Sequence, residues 1–431
     1  MREQAATARP PAGADDAVDT DVCVIGAGPA GLALTLMLLR SGVRVTLVER
    51  STAFHRDFHG EILQPGGQRI LDELGVLAAA TAHGAARLEG FQVRERERVL
   101  LDIDYGRLPA PYDHLLALPQ PHLLRELLAA CRRLPGLTLL EGHRIAALRQ
   151  RRRYGPCTGA IVNGPDRKPV TVRARVVVGA DGRFSKTRAL AGIDAGRRES
   201  FAHDVVWFAL DAPGRATGRV RVHRADGSAL LVHDTHPDRL RIGWTLPHGA
   251  WRGVVRRGIE DVRRELAAAL PPFADLIHDQ ITSLADLTLL DVFASHAAEW
   301  VRDGLVLLGD SAHTHGPIGA QGINLALQDA AALHPVLVSA LSAGEPTAQR
   351  LAAYRDRRAP AAAAVHRMQV VQARMMFGGG GTAADFLRAR AAALVTRTPI
   401  GAKITRRVAH GSDPAGVRTD LFTALPARQD A

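Results

Sequence analysis

The chain is poor in cysteine, lysine and aromatic residues, and each shortage removes a class of function. Its three cysteines, Cys23, Cys131 and Cys157, lack the paired spacing of a metal knuckle or a redox motif, so neither a disulfide scaffold nor a thiolate metal centre is expected. Cys23 falls inside an apolar run and reads as a small core residue. Aromatic residues make up 4% of the chain, too few to interleave with a basic stripe in the way single-strand nucleic-acid binding requires. The net charge of +11 comes almost wholly from arginine, since Lys168, Lys186 and Lys403 are the only lysines. The arginines are scattered, which reads as a solvated basic surface; no nucleic-acid partner is expected. Such a field does help to gather nucleotides or acidic substrates. No apolar run reads as long enough to cross a bilayer. Residues 1–19 lack the apolar core of a signal peptide and read as a disordered leader, so a cytoplasmic location is expected.

What is present is a strong local pattern at Thr20–Arg50. Val22, Cys23, Val24 and Ile25 form an apolar run, as in a strand buried on both faces. Gly26-Ala27-Gly28-Pro29-Ala30-Gly31 follows. Leu32 to Leu39 reads as a helix and Val43 to Val48 as a second strand, closed by Glu49 and Arg50. This is βαβ with G-x-G-x-x-G at the first turn and an acid about 20 residues on. Gly26 permits the tight turn, Gly28 admits a pyrophosphate, and Gly31 lets the helix pack close. The helix dipole attracts the phosphates. Glu49 at the strand end suits an unphosphorylated ribose, hence FAD or NAD rather than NADP.

Further along, Gln68 to Ala80 is expected to be a helix with Ile70, Leu71, Leu74 and Leu77 on one face. Pro119-Gln120-Pro121-His122 opens another. Short runs between Phe201 and Pro247 read as an antiparallel sheet inserted into the first domain. Gly304 to Leu308 returns to a buried parallel strand, and Gly319 to Leu341 is a long helix. The tail is alanine- and arginine-rich; Phe386 to Val408 mixes apolar residues with arginines in a way compatible with lying on a membrane surface, although a docked helix is the simpler reading.

Two more stretches belong with the glycine turn. One is Val176-Val177-Val178-Gly179-Ala180-Asp181-Gly182-Arg183-Phe184-Ser185-Lys186-Thr187-Arg188. The other runs from Gly309-Asp310-Ser311-Ala312-His313-Thr314-His315 through Gly316-Pro317-Ile318-Gly319-Ala320-Gln321-Gly322-Ile323-Asn324. In this order and spacing the three resemble the class A flavoprotein monooxygenases, the family of p-hydroxybenzoate hydroxylase and the polyketide aromatic hydroxylases. The resemblance implies a Rossmann-like α/β FAD-binding domain with an inserted antiparallel substrate sheet and C-terminal helices. The implied division is a leader over 1–19, an FAD-binding domain over 20–90, 120–198 and 291–360, a substrate domain over 91–119 and 199–290, and a helical tail over 361–431.

The resemblance also implies roles. Gly26, Gly28, Pro29, Ala30, Gly31, Glu49 and Arg50 would serve the adenosine and pyrophosphate of FAD, with Gln120 and with His59 at a position where the family usually has arginine. Arg56 is a substitute for that arginine. Asp181 and Gly182 would lie near the pyrophosphate, and Arg188 would hold their loop or the incoming nucleotide. Asp310 would reach the ribityl chain. Pro317, Gly319, Gln321 and Gly322 would position the flavin ring, with Ile323 and Asn324 at its edge. The helix beginning at Gly322 would stabilise the reduced, anionic flavin. No second glycine turn provides a nicotinamide domain, so NADH or NADPH would dock transiently. Trp207, His223, Trp244 and Phe293 are candidate substrate contacts; His233 is a weaker one. His313 and His315, at i, i+2 without acids or thiols beside them, do not make a metal site, and none is expected.

The implied activity is hydroxylation of an aromatic, phenolic or polyketide-type small molecule through a flavin C4a-hydroperoxide, by a monomer or homodimer. Epoxidation or Baeyer–Villiger oxygen insertion on the same fold is the nearest rival. A non-catalytic binding protein built on the same fold is a rival of another class, against which the intact Pro317–Gly322 loop argues.

Overall fold

The computed structural model describes residues 17–53, 60–95, 98–150, 152, 155–199, 201–225, 228–377 and 398–423. The strand Ala17–Ile25 lies between two parallel neighbours, Val45–Glu49 and Pro169–Gly179. Helices cover the sheet, which is why Val22, Cys23 and Val24 are all fully buried. Leu305–Leu307 and Leu137–Glu141 continue the parallel array on either side. The strand ends therefore stand side by side, Ile25 paired with Gly179 and Gly179 with Leu307. The strand starts at Ala17, inside the stretch expected as leader; residues 1–16 lie outside the described ones.

The helices Pro29–Arg40 and Gly322–Ser342 pack against each other on this sheet. Contrary to the expectation that no run could span a bilayer, Gly322–Ser342 has the length and composition to do so. It is a core helix: Leu327, Ala330 and Leu333 are buried in the cluster that covers the sheet. The helix expected over Gln68 to Ala80 is two, Pro65–Glu73 and Leu77–Ala82. Gly75, at φ +64°, turns the chain between them. The tail border expected at residue 361 falls inside one helix, Ala348–Phe377, which runs through Pro360.

The second sheet has seven strands in the order Thr288–Leu290, His203–Asp211, Arg239–Pro247, Ser228–Thr235, Val220–Ala225, Gly90–Glu95 and Arg98–Asp104. It is not wholly antiparallel. Val220–Ala225 runs parallel to Gly90–Glu95, because this pair joins two separate excursions of the chain. Its pleat divides the side chains cleanly. Val206, Phe208, Ile242 and Trp244 pack on the helices Ile259–Ala269 and Ala274–Gln280. Val205, Trp207, Leu231 and Gly243 face the opposite way, toward the first domain.

Candidate FAD site and substrate cleft

The three glycine-rich turns meet in backbone contact. Ala180 N–H donates to Ile25 O at 2.8 Å, and Leu308 N–H donates to Gly179 O at 2.9 Å. Gly26 sits at φ +108°, and a Cβ there would fall 2.5 Å from Ala180 O. The third turn closes on the first at Gly309, where a Cβ would fall 3.4 Å from the Cβ of Ala30. Gly182 N–H donates to Ser311 Oγ at 3.1 Å, so the second and third turns are tied as well.

The polar residues of these turns divide into those already spent within the protein and those with capacity left. Asp181 is spent: Oδ1 accepts from the hydroxyls of Ser185 at 2.5 Å and Ser311 at 3.2 Å. Its Oδ2 accepts from Thr187 N–H and Oγ1 at 2.9 and 3.0 Å. A carboxylate has about four acceptor sites, so Asp181 shapes its loop and has none left for the pyrophosphate. Arg188 donates to Ser311 O at 2.8 Å and Arg183 O at 3.2 Å and holds the same loop. Asn324 is spent too, accepting from Gln64 N–H at 2.8 Å and donating to Ala320 O at 2.7 Å and Ile62 O at 3.3 Å. It stitches the long helix to the strand Ile62–Leu63 rather than presenting its amide to a ring edge. Gln321 donates to Gly319 O and Val408 O, each at 3.1 Å.

Glu49 is buried and accepts from Ala27 N–H at 2.8 Å and Ser51 N–H at 3.0 Å; it fixes the first turn. Arg50 is exposed. His59 and Arg56 lie outside the described residues. The half-buried Asp310 carboxylate has no hydrogen-bond partner among the described residues. Burial pushes its pKa up, against the pull of Arg183 and His313. Gln120 donates to Gly60 O at 3.2 Å, while its Oε1 is buried without a partner. The helices that begin at Pro29 and Gly322 carry no side-chain cap and no acid in their first turns. Their first N–H groups and positive dipole ends are left for an anion. An FAD fits these vacant valences: two uncapped helix starts for phosphate or ring charge, and Asp310 and Gln120 Oε1 for hydroxyl and amide donors.

The loop ahead of the long helix has two left-handed residues in succession, Gly319 at φ +74° and Ala320 at φ +50°. An alanine held there is strained. The loop is held by Gln64, which donates to Gly319 O at 2.9 Å and accepts from the Tyr105 hydroxyl at 2.9 Å. It is also held by Gln369, which donates to Gly316 O at 2.8 Å and Ile318 O at 2.7 Å. Sequence reasoning missed both glutamines. Gln64 follows a strand and carries no motif, and Gln369 acts across the fold.

Between Pro317–Gly319 and the inner face of the second sheet lies a cleft that opens in part to solvent. Phe91, Val205, Trp207, Val222 and Leu231 make its wall apolar. Of the four expected substrate contacts, Trp207 lines it. Trp244 and His223 project from the other face of the pleat, one residue out of phase with Gly243 and Val222. The buried Phe293 lies under the guanidinium groups of Arg183 and Arg197, at 4.6 and 4.2 Å. His203 is the one titratable side chain on the lining. Burial and the neighbouring His248 lower its pKa, against the pull of Asp204. Glu61 is buried with Arg241 at 3.3 Å and His233 at 3.9 Å.

Behind the loop four imidazoles cluster. His313 and His315 meet at 3.0 Å, and His296 and His366 close on them from a distant strand and helix. His313 Nε2 bonds Asp329 at 2.6 Å, and Asp329 bonds Arg358 at 2.7 Å. Burial and the adjoining imidazoles lower the pKa of His315, and lower that of His296 to about 4.

Comparison with known proteins agrees with this geometry. The sequence model of the family described as FAD binding domain matches residues 19–369. A 6-methylpretetramide 4-monooxygenase of Streptomyces rimosus is 49% identical over 414 residues, covering 96% of this chain and 97% of that one. Among solved structures, P. aeruginosa PqsL in complex with 2-aminobenzoylacetate superposes with a TM-score of 0.74 at 25% identity, over 88% of this chain and 100% of that one. The OxyS anhydrotetracycline hydroxylase from Streptomyces rimosus gives 0.69 at 25% identity, over 91% and 76%. Three glycine turns joined backbone to backbone, a set of unsatisfied groups matched to a dinucleotide, and these likenesses lead to one conclusion: the chain belongs to the FAD-binding-domain family and is an FAD-dependent monooxygenase with the p-hydroxybenzoate hydroxylase-like fold.

Proposed function

We propose that the substrate is a flat, phenolic, polycyclic molecule of polyketide type, 6-methylpretetramide or a near analogue, hydroxylated with NADH or NADPH as reductant. The observation that carries this is the cleft, apolar on its walls, closed on one side by Pro317–Gly319 and carrying a single imidazole. The relative 49% identical over almost its whole length is named for that substrate, which supports the choice. The chemistry bound FAD supplies is activation of dioxygen, after reduction by NAD(P)H, and transfer of one oxygen atom.

The chain's own part is binding, orientation and exclusion of water. Ring faces buried against Trp207, Val222 and Leu231 gain about 25 cal/mol per Å² of apolar surface removed from water. Asp310, Gln120 Oε1 and the helix starts at Pro29 and Gly322 would hold the cofactor.

Filling the cleft separates substrate binding from cofactor binding. In Leu231→Trp the larger indole occupies the space beside Trp207 on the sheet side of the cleft, away from Gly26–Gly31 and Asp181. The expected result is a normal flavin content and spectrum, with kcat/KM for 6-methylpretetramide lowered by about 100-fold, or about 2.7 kcal/mol of transition-state binding. Unchanged kcat/KM would place the substrate elsewhere.

A further inference from the structure

His313 and His315 do not form a ligand set by themselves, but the fold adds two histidines from far away in sequence. His296 ends the strand Ala294–His296, and His366 sits on the helix Ala348–Phe377. One ring nitrogen from each of His296, His315 and His366 lies within 4.8 Å of the others. His315 is 8% exposed, and its Nδ1 is buried with no partner. We propose that His296, His315 and His366 bind a late first-row divalent cation of the zinc type, which clamps the loop ending at Pro317 to the strand and helix behind it.

The donor set selects the metal. Three imidazoles with no carboxylate or thiolate among them suit zinc, copper or nickel and do not suit magnesium or calcium. The groups behind them have the arrangement that supports a ligand. With a cation on Nδ1, the Nε2 of His315 carries a hydrogen and donates to His313 Nδ1 at 3.0 Å. His313 Nε2–H donates in turn to Asp329 at 2.6 Å, whose charge Arg358 balances at 2.7 Å. Each group in that chain then has a partner, and a carboxylate at its far end orients the ligating ring. Trp300 stacks on His313 at 4.9 Å between centroids and fixes the ring plane. The nitrogens must draw in to the roughly 3.3 Å separation implied by zinc–nitrogen bonds of about 2.0–2.1 Å at tetrahedral angles. His296 and His366, both half-buried, are the ligands that would make this movement.

The test uses the FAD-loaded protein, freed of metal by chelator and titrated with zinc chloride in a calorimeter. Cobalt chloride serves as a second probe, read by absorbance beyond the flavin bands. One equivalent is expected to bind with micromolar or better affinity, cobalt giving the intense bands of a tetrahedral nitrogen site. His296→Gln and His366→Gln should each weaken binding at least about 100-fold, and bound zinc should raise the melting temperature of the wild type only. A surface trio, His83, His122 and His236, whose rings lie 5.7 and 5.9 Å apart, offers a competing site. His122→Gln should therefore leave binding unchanged. Absence of stoichiometric binding, binding retained in both His296→Gln and His366→Gln, or binding lost in His122→Gln would each overturn the proposal. These readouts need no substrate, so they stand apart from the identity of the molecule hydroxylated.

Discussion

Gly31→Ala strips the protein of FAD. A Cβ at this position would lie 2.0 Å from Gly26 O and 3.3 Å from the Cβ of Ala180. The first of these is a backbone atom, so the turn itself has to move. Ala180 N–H is bonded to Ile25 O beside Gly26 at 2.8 Å, so displacing the first turn displaces the second, and the uncapped start of the helix Pro29–Arg40 is no longer aimed at the phosphates. The expected loss is at least about 100-fold in FAD affinity, or about 2.7 kcal/mol, read as flavin absorbance remaining after gel filtration. Gly253→Ala, where a Cβ meets only Arg256 Nη2 at 4.0 Å, should keep its flavin. Full retention of FAD in Gly31→Ala would show that the close approach of helix and turn is not required.

Asp329→Ala destabilises the folded protein by about 3–5 kcal/mol, the cost of leaving a buried charge without its partner. Arg358 and Asp329 are both fully buried. Arg358 Nη1 also donates to Asp413 O at 3.1 Å, but Nη2 is buried without a partner, so nothing replaces the carboxylate. Urea unfolding of the FAD-loaded protein measures the loss. The double variant Asp329→Ala with Arg358→Met should be less destabilised than the single one, since the stranded charge is gone. The effect depends on pH in a definite sense. Burial acts to raise the Asp329 pKa, but the attraction of His313 and Arg358 outweighs it and holds the group below its ordinary value. The stabilisation is thus complete above the usual carboxylate range and disappears as pH falls through the lowered value. The gap between wild type and Asp329→Ala should narrow only in strong acid.

Local features of this fold were open to sequence reasoning because their physics is local. The turn at Gly26–Gly31 needs glycine for reasons contained within six residues, and the apolar run Val22–Ile25 declares a strand covered on both faces. Gly75 was equally readable as a helix stop, but the apolar spacing across it suggests one helix where there are two. Facing was harder. Trp244 and Trp207 look alike in sequence, yet paired strands in register put one against helices and the other in the cleft. Asp181 and Asn324 mark the right place in the right family, but their bonds are spent within the protein, and capacity depends on partners such as Gln64, 260 residues from Asn324. The imidazole cluster has the same origin: His296 and His366 are nowhere near His315 in sequence, and only the packing of strand, loop and helix brings them together.

The most direct measurement is turnover of 6-methylpretetramide by the FAD-loaded protein and NADPH, with NADH in parallel, under oxygen-18 gas, with the product analysed by mass spectrometry. Flavin bound between the three turns and a substrate held in the cleft predict a product carrying one labelled oxygen atom, formed in step with nicotinamide oxidation. A protein that takes up no flavin, or one that oxidises both nicotinamides to hydrogen peroxide while the tetracyclic compound is recovered unlabelled, would contradict the account.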